Sequence, residues 1–497
     1  MIPKTIEIVD ELEKIVGSNR ITNKKVDLYQ YSFDCTENEQ HMPDCVIMPE
    51  TVEELQEIVK VASSYKTPLI PYITGSNVGG LTIPLKGGII VDQKLMNRII
   101  EINEFAMYAL IEPGVTFGQL KNELEKYPDL KYSYSFAPPN VSVMANALLA
   151  GYTNLGTAQG TTGEGINGME VILYDGTLAK IGSCFLNSDL RSNYHSRFPI
   201  PDMTSLFICW QGMSGFVTKL AVELHPKSAI DDKLWVVVCF DAKSTTEVMY
   251  QLGRLELIDD ISTVSVETAH LWYEMPKPIR LVPGEPKFVI LLTISAHNRK
   301  HYDIKMEIIH EKLKEIEKEL ESRIILVAFN TFIHLVGDDP KSASELPAII
   351  EPLVSKSGIS WVGTICSPEV MTELIIESKK ILSKYEKPEM VPMFEMKSMK
   401  ASHYQVFRVF TPFDKYSDSE VKYIKDLNQE LLDMVLEKGA IPYKAGVNFT
   451  PKILNRADEG WKKLFTRIKK VMDPNGIFNP GRWEFDVQKS DEDNVDA

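Results

Sequence analysis

The stretch Pro71-Tyr-Ile-Thr-Gly-Ser-Asn-Val-Gly-Gly-Leu81 places three glycines, Gly75, Gly79 and Gly80, among the short polar side chains of Thr74, Ser76 and Asn77. Glycine lets successive backbone N–H groups turn toward one concavity, and such a nest binds phosphate through fixed partial positive charge. Ser76 and Asn77 can add donors of their own. Read locally, the stretch is also compatible with an ordinary turn. A second run, Gly163-Glu-Gly-Ile-Asn-Gly168, has the G-x-G-x-x-G spacing of dinucleotide-binding folds. It leads into a strand instead of opening a helix, so it is not read as a nicotinamide site. The six cysteines lie far apart with no Cys-x-x-Cys pair, which supports neither an iron–sulfur cluster nor zinc. No metal is expected.

The elements around the first loop read as a β-α alternation. Cys45–Met48 is an apolar strand, Thr51-Val-Glu-Glu54 is a capping box, and the helix it opens turns Leu55, Ile58, Val59 and Ala62 inward. Leu69-Ile70 then delivers the chain to the loop, and Gly88–Asp92 is the next buried strand. Tyr108–Ile111 is a further strand, and Thr116–Gln119 a second capping box. Ser142 is an N-cap for a segment of small residues that admits close backbone approach. Met169–Tyr174 and Thr177–Ile181 form a hairpin across Asp175-Gly176.

After His225-Pro226 the helices lengthen and glycines thin out, which sets a boundary near residue 228. The second region reads as α+β, with strands near 234–240, 262–267, 288–294, 324–329, 359–365 and 404–410. Helices are expected near 245–257, 300–320, 343–355, 369–385 and 419–436, on one face of an antiparallel sheet. The expected units are 1–228, 229–445, a closing segment 446–485 with a helix near 457–472, and an acidic tail 486–497.

With 497 residues, 44% of them apolar, the chain can bury a large core, and its net charge of −15 opposes nucleic acid or an anionic membrane as partner. No apolar run is long enough to span a membrane, and the start lacks the pattern of a signal peptide, so a cytoplasmic location is expected. A homodimer is compatible with the sequence.

Nine motifs occur in one order along the chain: Val46–Leu55, Gly75–Gly80, Met96–Ile100, Glu112–Leu120, Pro139–Asn146, Gly168–Leu173, Pro201–Phe207, Gly212–Thr218 and Asp473–Gly481. In this series the chain resembles the vanillyl-alcohol oxidase, p-cresol methylhydroxylase and glycolate/D-lactate dehydrogenase superfamily. The resemblance implies an α+β fold with an FAD-binding domain of two small subdomains, and a substrate cap made of an antiparallel sheet covered by helices. It implies FAD contacts at Pro71, Thr74, Gly75, Ser76, Asn77, Val78, Gly79 and Gly80 in the loop, and at Pro139, Ser142 and Asn146. Val171, Gly215 and Val217 on strands, and Asn479 in the tail, complete the set. Histidine, through which some members attach FAD in the glycine loop, is replaced here by Ser76 and Asn77. The His-rich metal motif of many D-lactate dehydrogenases is missing, and the Tyr-Arg pair of phenol-oxidising members stands here as Tyr443-Lys444.

The chemistry so implied is hydride transfer from a substrate C–H to the flavin, with side chains supplying charge and proton transfer. The candidates are His403, Tyr404 and Arg408 on one strand, with Tyr443 and Lys444. Alternation puts Tyr404 and Arg408 on one face and His403 on the other. The leading expectation is oxidation of a 2-hydroxy acid such as glycolate or D-lactate, with Arg408 holding the carboxylate. The alternatives are a 4-hydroxybenzylic alcohol or alkylphenol as substrate, favoured by Gly151-Tyr-Thr and Tyr443, or a flavin subunit that only relays electrons. A separate iron–sulfur protein or electron-transfer flavoprotein is the expected acceptor.

Overall fold

The computed structural model describes residues 2–186, 193–272, 284–329, 331, 356–385 and 392–484. The helix expected near 343–355 and the acidic tail 486–497 lie outside the described residues.

The first sheet contains β1 (Ile21–Thr22), β2 (Cys45–Ile47), β3 (Leu69–Tyr72) and β4 (Ile89–Asp92) in the order β1-β2-β4-β3. The pairs β2–β4 and β3–β4 are parallel, as a strand–helix–strand crossover requires, and the helix Val52–Tyr65 supplies it. That helix buries Leu55, Ile58, Val59 and Ala62, as their spacing predicts. Its capping box is incomplete. Thr51 accepts from the Glu54 N–H at 3.2 Å, but the Glu54 carboxylate is drawn to both Nη atoms of Arg20, at 2.6 Å each. The Thr116–Gln119 box is complete.

The second sheet is antiparallel, with β5 (Ile99–Asn103), β6 (Tyr108–Ile111), β8 (Ile166–Ile172), β9 (Leu178–Gly182) and β10 (Phe216–Glu223) in the order β5-β6-β10-β8-β9. Gly163–Gly168 does run into β8, and β8 and β9 make the expected hairpin. A short pair, β7 (Leu130–Lys131) with β11 (His225–Pro226), closes this domain's edge.

Among the described residues eight antiparallel strands form the cap: β12 (Ile230–Cys239), β13 (Asp260–Ser265), β14 (Phe288–Ala296), β15 (Ile324–Ala328), β16 (Gly358–Cys366), β17 (Met393–Met399), β18 (Tyr404–Phe413) and β19 (Ile441–Pro442). Their order is β15-β12-β14-β13-β17-β18-β16-β19. The helices Ala242–Gly253, Arg299–Leu320, Met371–Lys384 and Asp418–Glu437 pack on one face through a single apolar core. The opposite face meets the first domain, where Val406 and Phe410 of β18 cluster with Tyr152 and Tyr443. Strand β17 is not foreseen from sequence, because Glu395 and Lys397 interrupt its apolar pattern. Both charges point into that domain interface. Lys397 pairs with Asp260 at 2.5 Å, and the Gly156 N–H of the first domain donates to the same Asp260 at 2.9 Å.

The chain then returns to its beginning. The Leu69 N–H donates to Ile477 O at 2.7 Å, the Asn479 N–H donates to Leu69 O at 2.8 Å, and fully buried Phe478 meets Phe216 edge to face. Among the described residues no helix is long and apolar enough to cross a membrane.

Candidate functional site

A cavity of about 460 Å³ opens where the glycine loop, the segment Ser135–Tyr152, the start of β10 and the inner face of the cap converge. Parallel pairing of β3 with β4 aims the loop at this point, and the N–H groups of Gly75, Ser76, Asn77 and Val78 have no acceptor among the described residues. The loop holds its own shape. Asn77 Oδ1 accepts from Gly79 N–H and Leu81 N–H, while Gly80 N–H donates to Asp34 at 2.7 Å. Consecutive unpartnered N–H groups in a loop that lines a cavity suit a pyrophosphate, so the site fits the dinucleotide end of FAD.

Gly79 and Gly80 have a different reason to be glycine from the one expected. They do not front the cavity, because the returning segment 444–447 presses on them from behind. A Cβ on Gly79 would meet Lys444 O at 3.3 Å, and one on Gly80, where φ is +70°, would meet the Asn38 side chain at 2.9 Å. Pro71, Thr74, Gly75, Ser76, Asn77, Val78, Asn146, Gly215 and Val217 all line the cavity. Pro139, Ser142, Val171 and Asn479 lie behind the wall. Ser142 caps the helix Val143–Leu148 and Val171 is buried in the core beneath the second sheet, while Asn479 donates to Leu81 O and Gln211 O and so ties the tail to the loop.

Of the five catalytic candidates, Arg408, Tyr443 and Lys444 line the cavity and His403 and Tyr404 do not. His403 is exposed in the turn before β18, and the Tyr404 hydroxyl donates to Glu164 at 3.0 Å. Tyr404 and Arg408 share a face of β18, as alternation requires, but four residues of strand separate them by about 13 Å.

Arg408 does not pair with a helix carboxylate over the sheet. Its Nη2 donates to Glu395 on the neighbouring strand and to the Tyr152 hydroxyl, and Tyr152 in turn donates to Glu395 at 2.8 Å. The guanidinium lies 4.4 Å above the Tyr152 ring and 5.2 Å from that of Trp361. Burial is the strongest influence and works against its charge, but Glu395, Tyr152 and Tyr443 together outweigh it and raise its pKa. Arg408 Nε is buried and unpartnered.

Beside it, the Tyr443 hydroxyl accepts from Tyr152 N–H at 3.1 Å, which leaves its own proton free to be donated. Burial pushes the phenol well above its ordinary pKa, so that proton stays in place at neutral pH. Lys444 is the cavity cation with no carboxylate partner among the described residues. Burial, and then the charge of Arg408, hold its pKa down to about 8. Glu395 and Trp361 had no sequence signal, since their role depends on cross-strand and cross-domain neighbours.

Two family models match the chain: the FAD binding domain over residues 43–182 and the C-terminal domain of FAD linked oxidases over residues 405–483. The chain is 30% identical over 229 residues to the glycolate oxidase subunit GlcD of Bacillus subtilis, covering 45% of this chain and 46% of that protein. It therefore spans less than half of that relative. It is 25% identical to the flavoprotein subunit of 4-cresol dehydrogenase (hydroxylating) of Pseudomonas putida, over 96% of this chain and 95% of that one. The fold matches the crystal structure of p-cresol methylhydroxylase with substrate bound at a TM-score of 0.83 and 20% identity, over 98% of both chains.

Proposed function

We propose that this chain, which carries the FAD binding domain and the C-terminal domain of FAD linked oxidases, uses FAD to oxidise a 4-substituted phenol instead of a small 2-hydroxy acid. The observation that carries this reading is the commitment of Arg408. A carboxylate is matched by the two parallel donors of a guanidinium, and here Nη2 is taken by Glu395 and Tyr152. Both parallel donor pairs of the guanidinium include Nη2, so what remains is Nη1 and Nε acting singly, the Tyr443 hydroxyl and the Lys444 amine, which suit a single phenolic oxygen.

The walls agree. Phe136, Tyr152, Trp361 and Tyr443 offer ring faces and edges to an aromatic substrate, whereas glycolate would leave them uncovered. Bound FAD supplies the acceptor for a hydride from the carbon attached to the ring. Tyr443 and the guanidinium donors of Arg408 not taken by Glu395 and Tyr152 hold the oxygen, and neutral Lys444 takes the phenolic proton, which raises the electron density at that carbon. Closure of the cap against the first domain excludes water and strengthens each of these contacts.

The hydroxy-acid reading is second. It is favoured by Lys444, a desolvated cation that a carboxylate could pair with, and by the likeness to the glycolate oxidase subunit. Anaerobic titration of the purified protein, followed on the flavin's visible band, separates the readings. Bleaching by 4-alkylphenols and not by glycolate or D-lactate is expected; the reverse pattern overturns the proposal, and bleaching by neither class leaves an electron relay.

A further inference from the structure

The helix Glu459–Met472 lies on the outside of the first domain and has no fully buried residue. On its inner side the Phe465 ring stacks on Trp210, with centroids 5.1 Å apart and planes 21° from parallel, and on Trp461, at 5.1 Å and 15°. Three rings therefore stand in series. The outermost, Trp461, is 41% exposed, and the innermost, Trp210, directly precedes the cavity-lining pair Gln211-Gly212.

The outer side of the helix carries Leu464 and Val471, 59% and 72% exposed, among the exposed cations Lys463, Arg467 and Lys470. The spacing 463, 467, 470 puts the three charges on one stripe. Among the described residues no carboxylate pairs with Arg467 or Lys470, whereas the inward Lys469 is held by Asp473. A cationic stripe with apolar side chains between the charges, on a chain of net charge −15, is a local reversal of the protein's field.

We infer that this face docks an acidic one-electron carrier protein, with Trp461, Phe465 and Trp210 as the contact path from carrier to cofactor cavity. The inference rests on the oxidoreductase reading above. Each substrate oxidised gives up two electrons and two protons; two carrier molecules each gain one electron, and the protons pass to solvent. Charge complementarity selects the carrier, since an acidic partner is repelled by the rest of the chain and attracted here. Aromatic and arginine side chains are those enriched where proteins meet. A lipid surface could use the same cations with Leu464 and Val471, but it has no use for a ring stack that leads inward.

The test uses the full chain with its flavin and two probes, an acidic bacterial cytochrome c and basic horse-heart cytochrome c. Surface plasmon resonance with both proteins oxidised reads docking without turnover. Binding of the acidic probe alone is expected, weakened about tenfold by raising salt and by Lys463→Glu/Arg467→Glu/Lys470→Glu. Phe465→Leu is expected to keep that binding and the anaerobic bleaching by substrate, and to slow reduction of the acidic cytochrome.

Equal binding of both probes overturns the proposal, as does a triple variant that binds like the parent. Two further results overturn it: sedimentation with phosphatidylserine vesicles in place of carrier binding, and carrier binding seen only after removal of residues 485–497. A wrong substrate reading would show as absent bleaching and leave the binding data untouched.

Discussion

Glu395 and Arg408 face each other in register across β17 and β18, and the carboxylate that neutralises the guanidinium also receives the Tyr152 hydroxyl from the other domain. Arg408 lines the cavity, and through Tyr152 the pair joins the two domains. Glu395 thereby prevents Arg408 from acting as a free carboxylate anchor.

Glu395→Gln should therefore be costly and informative. Removing one partner of a pair this deeply buried leaves an uncompensated charge, so a loss of about 3 kcal/mol is expected in chemical denaturation. The freed guanidinium should also improve binding of benzoates and small carboxylates, read as perturbation of the flavin spectrum. An unchanged midpoint together with unchanged carboxylate affinity would show that the pair is incidental.

Tyr443→Phe removes a proton donor while keeping the ring that packs edge to face on Trp361. A drop of roughly 10- to 100-fold in kcat/KM for phenols is expected, with flavin content and stability close to the parent's. Loss of the flavin instead would make Tyr443 a structural residue.

Lys444 sets a pH dependence. A neutral amine is the proton acceptor, so kcat/KM should rise through about pH 8 to a plateau, and Lys444→Met should remove that inflection. Stability moves in the same direction. The folded pKa lies below the unfolded value of about 10.4, so the unfolded chain binds more protons between the two, and stability rises with pH across that window. A parent profile that is flat from pH 7 to about 9 would contradict both statements.

Gly80→Val is expected to yield protein with little flavin. A β-branched residue is strained at φ +70°, and its side chain would push against Asn38 and Val447, displacing the neighbouring loop N–H groups. The ratio of visible to ultraviolet absorbance of the purified variant reads the loss directly. Full flavin content would place the loop outside cofactor binding.

Acid precipitation should release the flavin into the supernatant, since Ser76 and Asn77 occupy the loop positions where some members of the superfamily carry a linking histidine. Flavin that stays with the pellet would point to attachment through another side chain.

Much of this protein follows from local sequence. The glycine loop, the Thr116–Gln119 box, the Asp175-Gly176 hairpin and the inward faces of the helices Val52–Tyr65 and Asp418–Glu437 are set by interactions within a few residues, and periodicity reports them. So does the face shared by Tyr404 and Arg408 on β18, because side chains alternate along any strand. Tertiary structure decided the remainder. Strand β17 is hidden by Glu395 and Lys397, charges that look solvated until Arg408 and Asp260 are brought against them. Gly79 and Gly80 read as ligand glycines until a segment some 365 residues later folds against them. Whether Arg408 is a free cation or a neutralised one depends on a strand neighbour thirteen positions away and on a tyrosine in another domain. Electrostatic and packing partners at such separations are chosen by the closed fold, and no local pattern in the chain encodes them.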